Sequence, residues 1–443
     1  MKGRVYFETY GCQMNFNDTE LVAGILAKDQ YEVTADINDA DLIFINTCSI
    51  REHAEQRVFS RLANMRTLKR QKGKELVIGV MGCMAERLKK RLIEQEKLVD
   101  VVVGPDAYRD VPRLIEMAKL GEKAINTLLS LEETYEDLTP LRSEGVSAWL
   151  TVMRGCDNFC TFCVVPYTRG RERSRSIESV VSEIKAISQE GLIRDITLLG
   201  QNVNSYNDNG RPFADLLVAA ASVDPAIRIR FATSHPKDFS DEVLTAIRDH
   251  HNLCNYIHIP FQAGSDSILS AMNRTYTRTE YLELIDKMKS IIPGVSLSTD
   301  VMVGFPGETD ADYEDTLDIM RKVRFDTAFM FKYSPREGTK AWKFGDTVPE
   351  EVKAERLQNL IDLQERISYE NNQARIGGNE EVLVEGPAPR GEGFLRGKTD
   401  TNIKCVFPGE PGMKPGDYVR VRITSGSGHT LKGEVIREEL IHA

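Results

Sequence analysis

Short apolar runs alternate with amphipathic stretches over the first three-quarters of the chain. Residues 5–10 alternate like a strand, 18–28 carry a helical stripe, and Leu42-Ile43-Phe44-Ile45, within 41–46, read as a strand buried on both faces. Residues 51–72 read as one long basic helix, 76–81 as a strand, 85–96 as a helix and 99–103 as a strand. Apolar strands separated by helices predict a parallel sheet covered on both sides. The pattern fades near Gly121, and 1–125 is taken as a first α/β domain. A polar, acidic stretch follows, with Pro140 and Gly145 inside it, so 126–146 reads as a linker or a loop crossing the next domain.

A second series begins at Ser147. Strands are expected at 148–153, 196–199, 227–231, 256–259, 295–303 and 327–331, with helices at 177–190, 240–249, 278–291 and 310–323 between them. Six such units are too few for a closed eight-unit barrel. An open, partial barrel over 147–375, closed by a charged helix at 349–375, fits instead. From 376 to 443 the pattern changes to five short strands at 382–385, 394–398, 404–407, 418–423 and 431–436, separated by Gly- and Pro-bearing turns. Five short strands in so small a unit predict a barrel of the OB type.

Composition changes this picture little. The 443 residues are 41% hydrophobic and 28% charged, as in an ordinary globular protein, and the net charge of −10 rules out a chain that is basic throughout. A polyanionic partner would have to meet local patches, of which there are two. Residues 51–74 hold eight Lys or Arg against two Glu, and 154–175 hold five Arg against Asp157 and Glu172. Acidic runs at 132–137 and 308–318 balance them. Solvated helix faces are the plainer account of such runs. No apolar stretch approaches the roughly 20 residues of a membrane span, and the start of the chain has no signal-peptide core. The expectation is a cytoplasmic protein whose eight cysteines are metal ligands or packing residues before they are disulfides.

Six of those cysteines form two sets. Arg154-Gly155-Cys156-Asp157-Asn158-Phe159-Cys160-Thr161-Phe162-Cys163 directly follows the first strand of the second series. Cysteines spaced three and two residues apart on one loop give three thiolates for three corners of an iron–sulfur cubane, where four is the usual number. The fourth iron then keeps an open position, as catalytic zinc does. The amine and carboxylate of an amino acid such as methionine could chelate it. Structural zinc is the alternative, but it would need a second Cys pair, and Cys254 and Cys405 are lone and distant. The second set is Cys12, Cys48 and Cys83, each just past the carboxyl end of a predicted strand. Those ends share one edge of a parallel sheet, where ligands bind, so the three thiols can converge on a second cluster. The alternative is three unrelated buried thiols. Cys254 and Cys405 are expected to be packing residues.

Two further strand ends face the cysteine loop. Leu198-Leu199-Gly200-Gln201-Asn202 and Val301-Met302-Val303-Gly304-Phe305-Pro306-Gly307-Glu308 carry small residues where backbone must come close to a ligand, and an adenosine would suit them. His235 and His258 also fall near strand ends and are read as core or supporting residues.

The cysteine loop on a partial barrel resembles the radical S-adenosylmethionine superfamily. The fuller pattern resembles its methylthiotransferase family, most closely the branch that makes 2-methylthio-N6-dimethylallyladenosine in tRNA. The resemblance rests on Thr9-Tyr10-Gly11-Cys12-Gln13-Met14-Asn15, Asn46-Thr47-Cys48, Gly82-Cys83, residues 154–175, Leu199-Gly200-Gln201-Asn202-Val203-Asn204-Ser205-Tyr206 and Gly304-Phe305-Pro306-Gly307-Glu308-Thr309, and the last five strands resemble a TRAM domain. Phe261 and Ala263 depart from the family pattern, which has Val and Ser there.

The resemblance implies two [4Fe–4S] clusters. The one on Cys156, Cys160 and Cys163 would bind and split S-adenosylmethionine. The one on Cys12, Cys48 and Cys83 would carry sulfur. Phe162, Gly200, Gln201, Asn202, Gly304 and Gly307 would contact S-adenosylmethionine, two of which are consumed per turnover. The implied reaction inserts a methylthio group at C2 of the N6-dimethylallyladenosine beside the anticodon, at position 37. The implied partners are a tRNA anticodon stem-loop, an electron donor such as flavodoxin or ferredoxin, and an iron–sulfur or sulfide donor, with no membrane and a monomeric chain. Both basic patches would hold phosphates. Sister enzymes act on threonylcarbamoyladenosine or on a ribosomal-protein aspartate. A radical methylase with a merely electron-relaying first domain, or a non-catalytic zinc protein that binds RNA, are the other readings.

Overall fold

The computed structural model describes residues 1–48, 52–142 and 145–436. Arg51, which opens the first basic run, and part of the acidic linker lie outside them. The N-terminal unit is a six-stranded, all-parallel sheet in the order Tyr31–Val33, Gly3–Tyr10, Leu42–Thr47, Val77–Met81, Val101–Val103, Ala124–Asn126. All six residues of Leu42–Thr47 are buried, because side chains on both of its faces meet apolar layers. Leu42 and Phe44 pack with Leu21, Leu26, Leu114 and Ile115 on one face, and Ile43 and Ile45 pack with Val58, Leu62, Met84 and Leu92 on the other.

Four details differ from the sequence reading. Two strands of only three residues, Tyr31–Val33 and Ala124–Asn126, extend the sheet on either side, the second lying beyond the expected end at Gly121. The expected basic helix is two, Glu52–Asn64 and Arg66–Lys72, which part at Met65 where its side chain turns into the core. The helix expected at 85–96 is also two, Cys83–Leu88 and Lys90–Gln95, parted at Lys89, whose φ of 48° is left-handed. The acidic linker is no free tether either. Tyr135 is buried against Tyr108, and Arg109 pairs with Glu133 and Asp137.

The central unit has six parallel strands in two groups of three. Ser147–Thr151, Asp195–Leu199 and Arg228–Ala232 pair in order, as do Tyr256–His258, Ser296–Val303 and Thr327–Lys332. A parallel bridge between Ile229 and Leu253 and the Cys254 N–H to Ile229 carbonyl bond join the groups. Among the described residues no pairing joins the first strand to the last, so the barrel is open. Its helices start where side chains satisfy their free N–H groups. Ser176 caps Ile177–Glu190, and Thr277 with Glu280 and Thr309 with Asp312 form capping boxes on Arg278–Ile291 and Asp310–Val323. The helix Glu350–Ala374 lies along the last strand, burying Leu360, Leu363 and Ile367.

The C-terminal unit is a closed five-stranded barrel, ordered Asn379–Pro387, Phe394–Thr399, Lys404–Pro408, Thr430–Val435, Tyr418–Gly426. Val382, Val384, Cys405, Phe407, Val421 and Leu431 fill it. It docks on the amino ends of the central strands. Arg228 donates to the Lys398 and Glu381 carbonyls, Arg230 to those of Thr399 and Asp400, and Tyr418 Oη to those of Arg194 and Ala226. The carboxyl ends of the central strands are therefore left for the cysteine loop and the first domain. Among the described residues no helix is long and apolar enough to cross a membrane.

Two expectations follow from this packing. Arg230 Nε donates to Asp195 Oδ2 at 2.7 Å with both side chains buried, so Arg230→Met should strand that carboxylate and cost about 3–5 kcal/mol. Thermal unfolding should show it, and Arg230→Met with Asp195→Leu should recover most of the loss. Glu86 is fully buried under Gly104, and burial, offset in part by Lys89, pushes its carboxyl from 4.5 to about 7. The folded chain then keeps a proton that the unfolded chain loses, so stability falls by about 3 kcal/mol as pH rises from 4.5 to about 7. Glu86→Gln should remove that slope and exceed the parent's stability above this range, as melting at about pH 5 and about pH 8 would show.

Candidate active site

Register brings the first three cysteines together. Thr9 pairs with Asn46 and Asn46 with Met81 across three adjacent strands. Cys12, Cys48 and Cys83 lie two or three residues past that line, at one end of the sheet. A buried pair of asparagines frames them. Asn15 Nδ2 donates to Asn46 Oδ1 at 2.9 Å, Asn46 Nδ2 donates to the Asn15 carbonyl at 2.7 Å, and the Cys12 N–H and Sγ both point to Asn15 Oδ1. Space is tight enough to dictate glycine at two places. A Cβ on Gly11 would stand 2.9 Å from the Cys48 Cβ, and one on Gly82, whose φ is +89°, would strike Asn46 Oδ1.

Behind this triplet lies a charged cluster with no access to water. Asp18 accepts from Arg154 at 2.8 Å, from Arg169 at 2.7 Å and from Tyr108 Oη at 3.1 Å, and Arg169 Nε donates to Cys83 Sγ at 3.2 Å. Burial pushes the Asp18 carboxyl up, and Arg169 and Arg154 more than reverse this, holding it below its ordinary value. Two guanidinium groups thus share one carboxylate. Arg169 Nη1 has no hydrogen-bond partner among the described residues, and neither do Arg154 Nε and Nη1, although Arg154 lies over the Tyr135 ring. Buried cations require compensating charge, and the excess positive charge borders Cys83. An anionic iron–sulfur group ligated there fits that demand.

This cluster corrects one expectation. Arg154, Arg169, Arg173 and Arg175 are each at most 6% exposed and pair with Asp18, Asp106 and Glu183, so they cannot hold phosphates. Of that run only Arg171 is exposed; it pairs with Asp157 and lies over the Phe159 ring. The first basic run is also partly internal. Arg61 pairs with Glu8, Lys69 with Asp100, and Lys72 donates to the Ala40 carbonyl, while Arg57, Arg66 and Arg70 face solvent.

The second triplet sits on a pinned loop. Gly155, at φ +81°, turns so closely that a Cβ would strike the Arg171 carbonyl, and its N–H donates to Gln201 Oε1. Thr161 N–H reaches the Met272 carbonyl at 2.9 Å, and Asn273 Nδ2 reaches the Asn158 and Phe159 carbonyls at 3.2 Å. Burial pushes the Cys156 and Cys163 thiols up to about 12, with Cys160 adding to both. Such thiols stay protonated unless a metal displaces the proton. Arg274 Nη1 donates to Cys160 Sγ at 3.4 Å. Neither triplet closes on a single-ion point among the described residues; a cubane holds each thiolate on a different iron, so its ligands stand further apart.

The other candidates fall around this loop. Gln201 holds the loop itself, Asn202 is buried with Nδ2 on Asp238 and Oδ1 unpartnered among the described residues, and Gly200 packs on Met153. Half-buried Phe162 sits edge-on to Phe305. Gly304 lies over the Lys353 stem and donates to Glu308, and Gly307 N–H donates to Thr347, so both glycines also serve local turns. His235 is buried, and burial with Arg274 and Lys237 pushes it down to about 2, so it is neutral. His258 bonds Ser298 through Nδ1 at 2.8 Å. Cys254 and Cys405 are packing residues, 3% and 0% exposed. Sequence reasoning missed Asp18, Arg169, Arg274 and the asparagine pair. Asn15 and Asn46 lay inside the motifs around Cys12 and Cys48, but only register shows that they meet.

Comparison with known proteins agrees with this architecture. Residues 4–104 match the uncharacterized protein family UPF0004, 150–320 the radical SAM superfamily and 373–436 the TRAM domain. A tRNA-2-methylthio-N(6)-dimethylallyladenosine synthase of Chloroherpeton thalassium is 51% identical, covering 98% of this chain and 96% of its own. One from Porphyromonas gingivalis is 49% identical, covering 98% and 95%, and the human mitochondrial tRNA methylthiotransferase CDK5RAP1 is 44% identical, covering 98% and 81%. Among solved structures, the radical S-adenosylmethionine methyltransferase TsrM from Kitasatospora setae, with cobalamin and a [4Fe-4S] cluster bound, shares the fold at TM-score 0.57 and 13% identity, covering 89% of this chain and 81% of its own. With near full-length identity of about one half, and with UPF0004, radical SAM and TRAM matches along its length, this chain belongs to the radical S-adenosylmethionine methylthiotransferases of the tRNA-2-methylthio-N6-dimethylallyladenosine synthase family.

Proposed function

We propose that this enzyme inserts a methylthio group at C2 of N6-dimethylallyladenosine beside the anticodon of tRNA, consuming two S-adenosylmethionine molecules. One observation supports the reading: Arg169, six residues past Cys163 on the segment that leaves the cysteine loop, donates to Cys83 of the first domain, so the segments carrying the two cysteine sets touch. Cys156, Cys160 and Cys163 would hold one [4Fe–4S] cluster with S-adenosylmethionine on its open iron, and Cys12, Cys48 and Cys83 the other. When bound, these groups supply a 5′-deoxyadenosyl radical and a transferable methylthio sulfur. The chain's own residues give them position. Asn15 and Asn46 fix the strand ends that present Cys12 and Cys48, Gln201 and Asn273 hold the cysteine loop, and buried Asn202 offers a free oxygen beside it. The chain would work as a cytoplasmic monomer, drawing electrons from a flavodoxin- or ferredoxin-like donor and sulfur from an iron–sulfur or sulfide donor.

The base must leave its stack, which a single-stranded loop allows at modest cost. Exposed Phe159 and Tyr167 stand 6.4 Å apart on the cysteine loop with Arg171 over the first ring, and such rings can stack with splayed bases. Of the first basic run, Arg57, Arg66 and Arg70 are exposed, with Arg66 paired to Glu96 at 3.7 Å.

Anaerobically reconstituted protein should hold about eight irons per chain if both sites bind four. Replacing Cys12, Cys48 and Cys83 by Ala should halve the iron, keep S-adenosylmethionine cleavage and abolish 2-methylthio product in mass spectrometry of the nucleosides. A variant that still methylthiolated tRNA would reject the sulfur-carrying role. Phe159→Ala and Arg171→Ala should each raise KM for an anticodon stem-loop about tenfold, from roughly 1–3 kcal/mol of lost stacking, with S-adenosylmethionine cleavage unchanged without RNA.

A further inference from the structure

We propose that Arg169 is a positioning residue for the cluster ligated by Cys83, and that its Nε–H donation to Cys83 Sγ sets that cluster's reduction potential. The inference rests on the two-cluster reading above and goes beyond it. The geometry is specific. Arg169 is 3% exposed, its Nη2 is fixed on Asp18 at 2.7 Å, its Nε lies 3.2 Å from Cys83 Sγ, and its Nη1 is unpartnered among the described residues. A planar guanidinium can bind a carboxylate with one edge while another N–H reaches a sulfur; a lysine ammonium offers only a point charge.

Hydrogen bonds to ligand sulfurs draw charge from the thiolate, stabilise the reduced cluster and raise its potential. The donor here belongs to the other module. The chain leaves Cys163, passes through the short helix Val165–Thr168 packed on Cys83–Leu88, and delivers Arg169 to the first domain's thiol. The potential of one cluster is thereby tied to the correct docking of the loop that carries the other. The second triplet has its own donor, Arg274 on Cys160, from the barrel alone. The two arginines give a paired experiment in which each acts on a different centre.

Full-length protein carrying both clusters would be titrated redox-potentiometrically under electron paramagnetic resonance, with the two triple-Cys→Ala variants as references for assigning each signal. Iron content and the melting transition would be measured on every sample. Arg169→Lys should keep the iron and the melting temperature while lowering the midpoint of the Cys12–Cys48–Cys83 centre by about tenfold in the reduced-to-oxidised ratio, ~59 mV for one electron. Arg274→Lys should move only the other midpoint. Iron lost from the first site alone, with melting unchanged, also supports a positioning role. An unmoved midpoint with full iron overturns the proposal. So does loss of the melting transition together with the iron, which would leave Arg169 a structural part only. If the parent itself holds one cluster, the two-cluster reading fails first, so the two failures are told apart.

Discussion

One carboxylate, Asp18, joins the two modules that carry the chemistry. It stands on the helix Gln13–Lys28, which begins at Cys12, and it receives two guanidinium groups from the segment that brackets the cysteine loop. Taking three charges out of water is costly, and their mutual attraction repays it only when the geometry is good and the remaining N–H groups are satisfied. Here they are satisfied only in part among the described residues, and one unsatisfied group belongs to Arg169, whose Nε reaches Cys83. The arrangement therefore makes most sense as a partial site, completed by negative charge at Cys83. Domain docking and cluster binding are then one energetic event rather than two.

Elements whose signals are local were legible in the sequence, and those set by distant partners or by single backbone angles were not. Apolar runs such as residues 42–45, short and alternating with amphipathic helices, pointed to a parallel sheet covered on both faces, and Leu42–Thr47 is buried throughout. The capped helices Ile177–Glu190, Arg278–Ile291 and Asp310–Val323 carry their start signals in Ser176, Thr277 and Thr309, and their bounds agree with the sequence reading. The closed terminal barrel matches the five-strand expectation, since its alternation and turns are local. Three-residue edge strands such as Ala124–Asn126 lack a pattern long enough to read, and the break at Lys89 depends on a single backbone angle.

The arginine run was misread for a different reason. Composition counts charges but not partners, and the partners lie far away in sequence: Asp18 serves Arg154 and Arg169, and Asp106 serves Arg173. A stretch of five arginines looks like a phosphate surface until its counter-ions are found on another module. The cysteine positions were legible because thiol spacing is itself the signal. The second layer around them was not, because Asn15 meets Asn46, and Arg169 meets Cys83, only through sheet register and docking.

The placement of the terminal barrel bears on how RNA would approach. That barrel covers the amino ends of the central strands through Arg228, Arg230 and Tyr418, so it does not sit over the cysteine loop. With most of the arginine run buried, Arg171 is the exposed cation that run leaves on the cysteine loop, while Lys69 and Lys72 bond at the starts of the first-domain strands, so Arg66 and Arg70 beside them lie towards the sheet edge opposite Cys12, Cys48 and Cys83. A chain with a net charge of −10 offers RNA little general attraction. Under the proposed function, affinity would then come from phosphate contacts together with exposed rings such as Phe159 and Tyr167, which would meet a splayed base by its face. Weak general attraction and local stacking favour a single-stranded loop over a duplex, because only the loop can present an unstacked base to rings set beside the thiols.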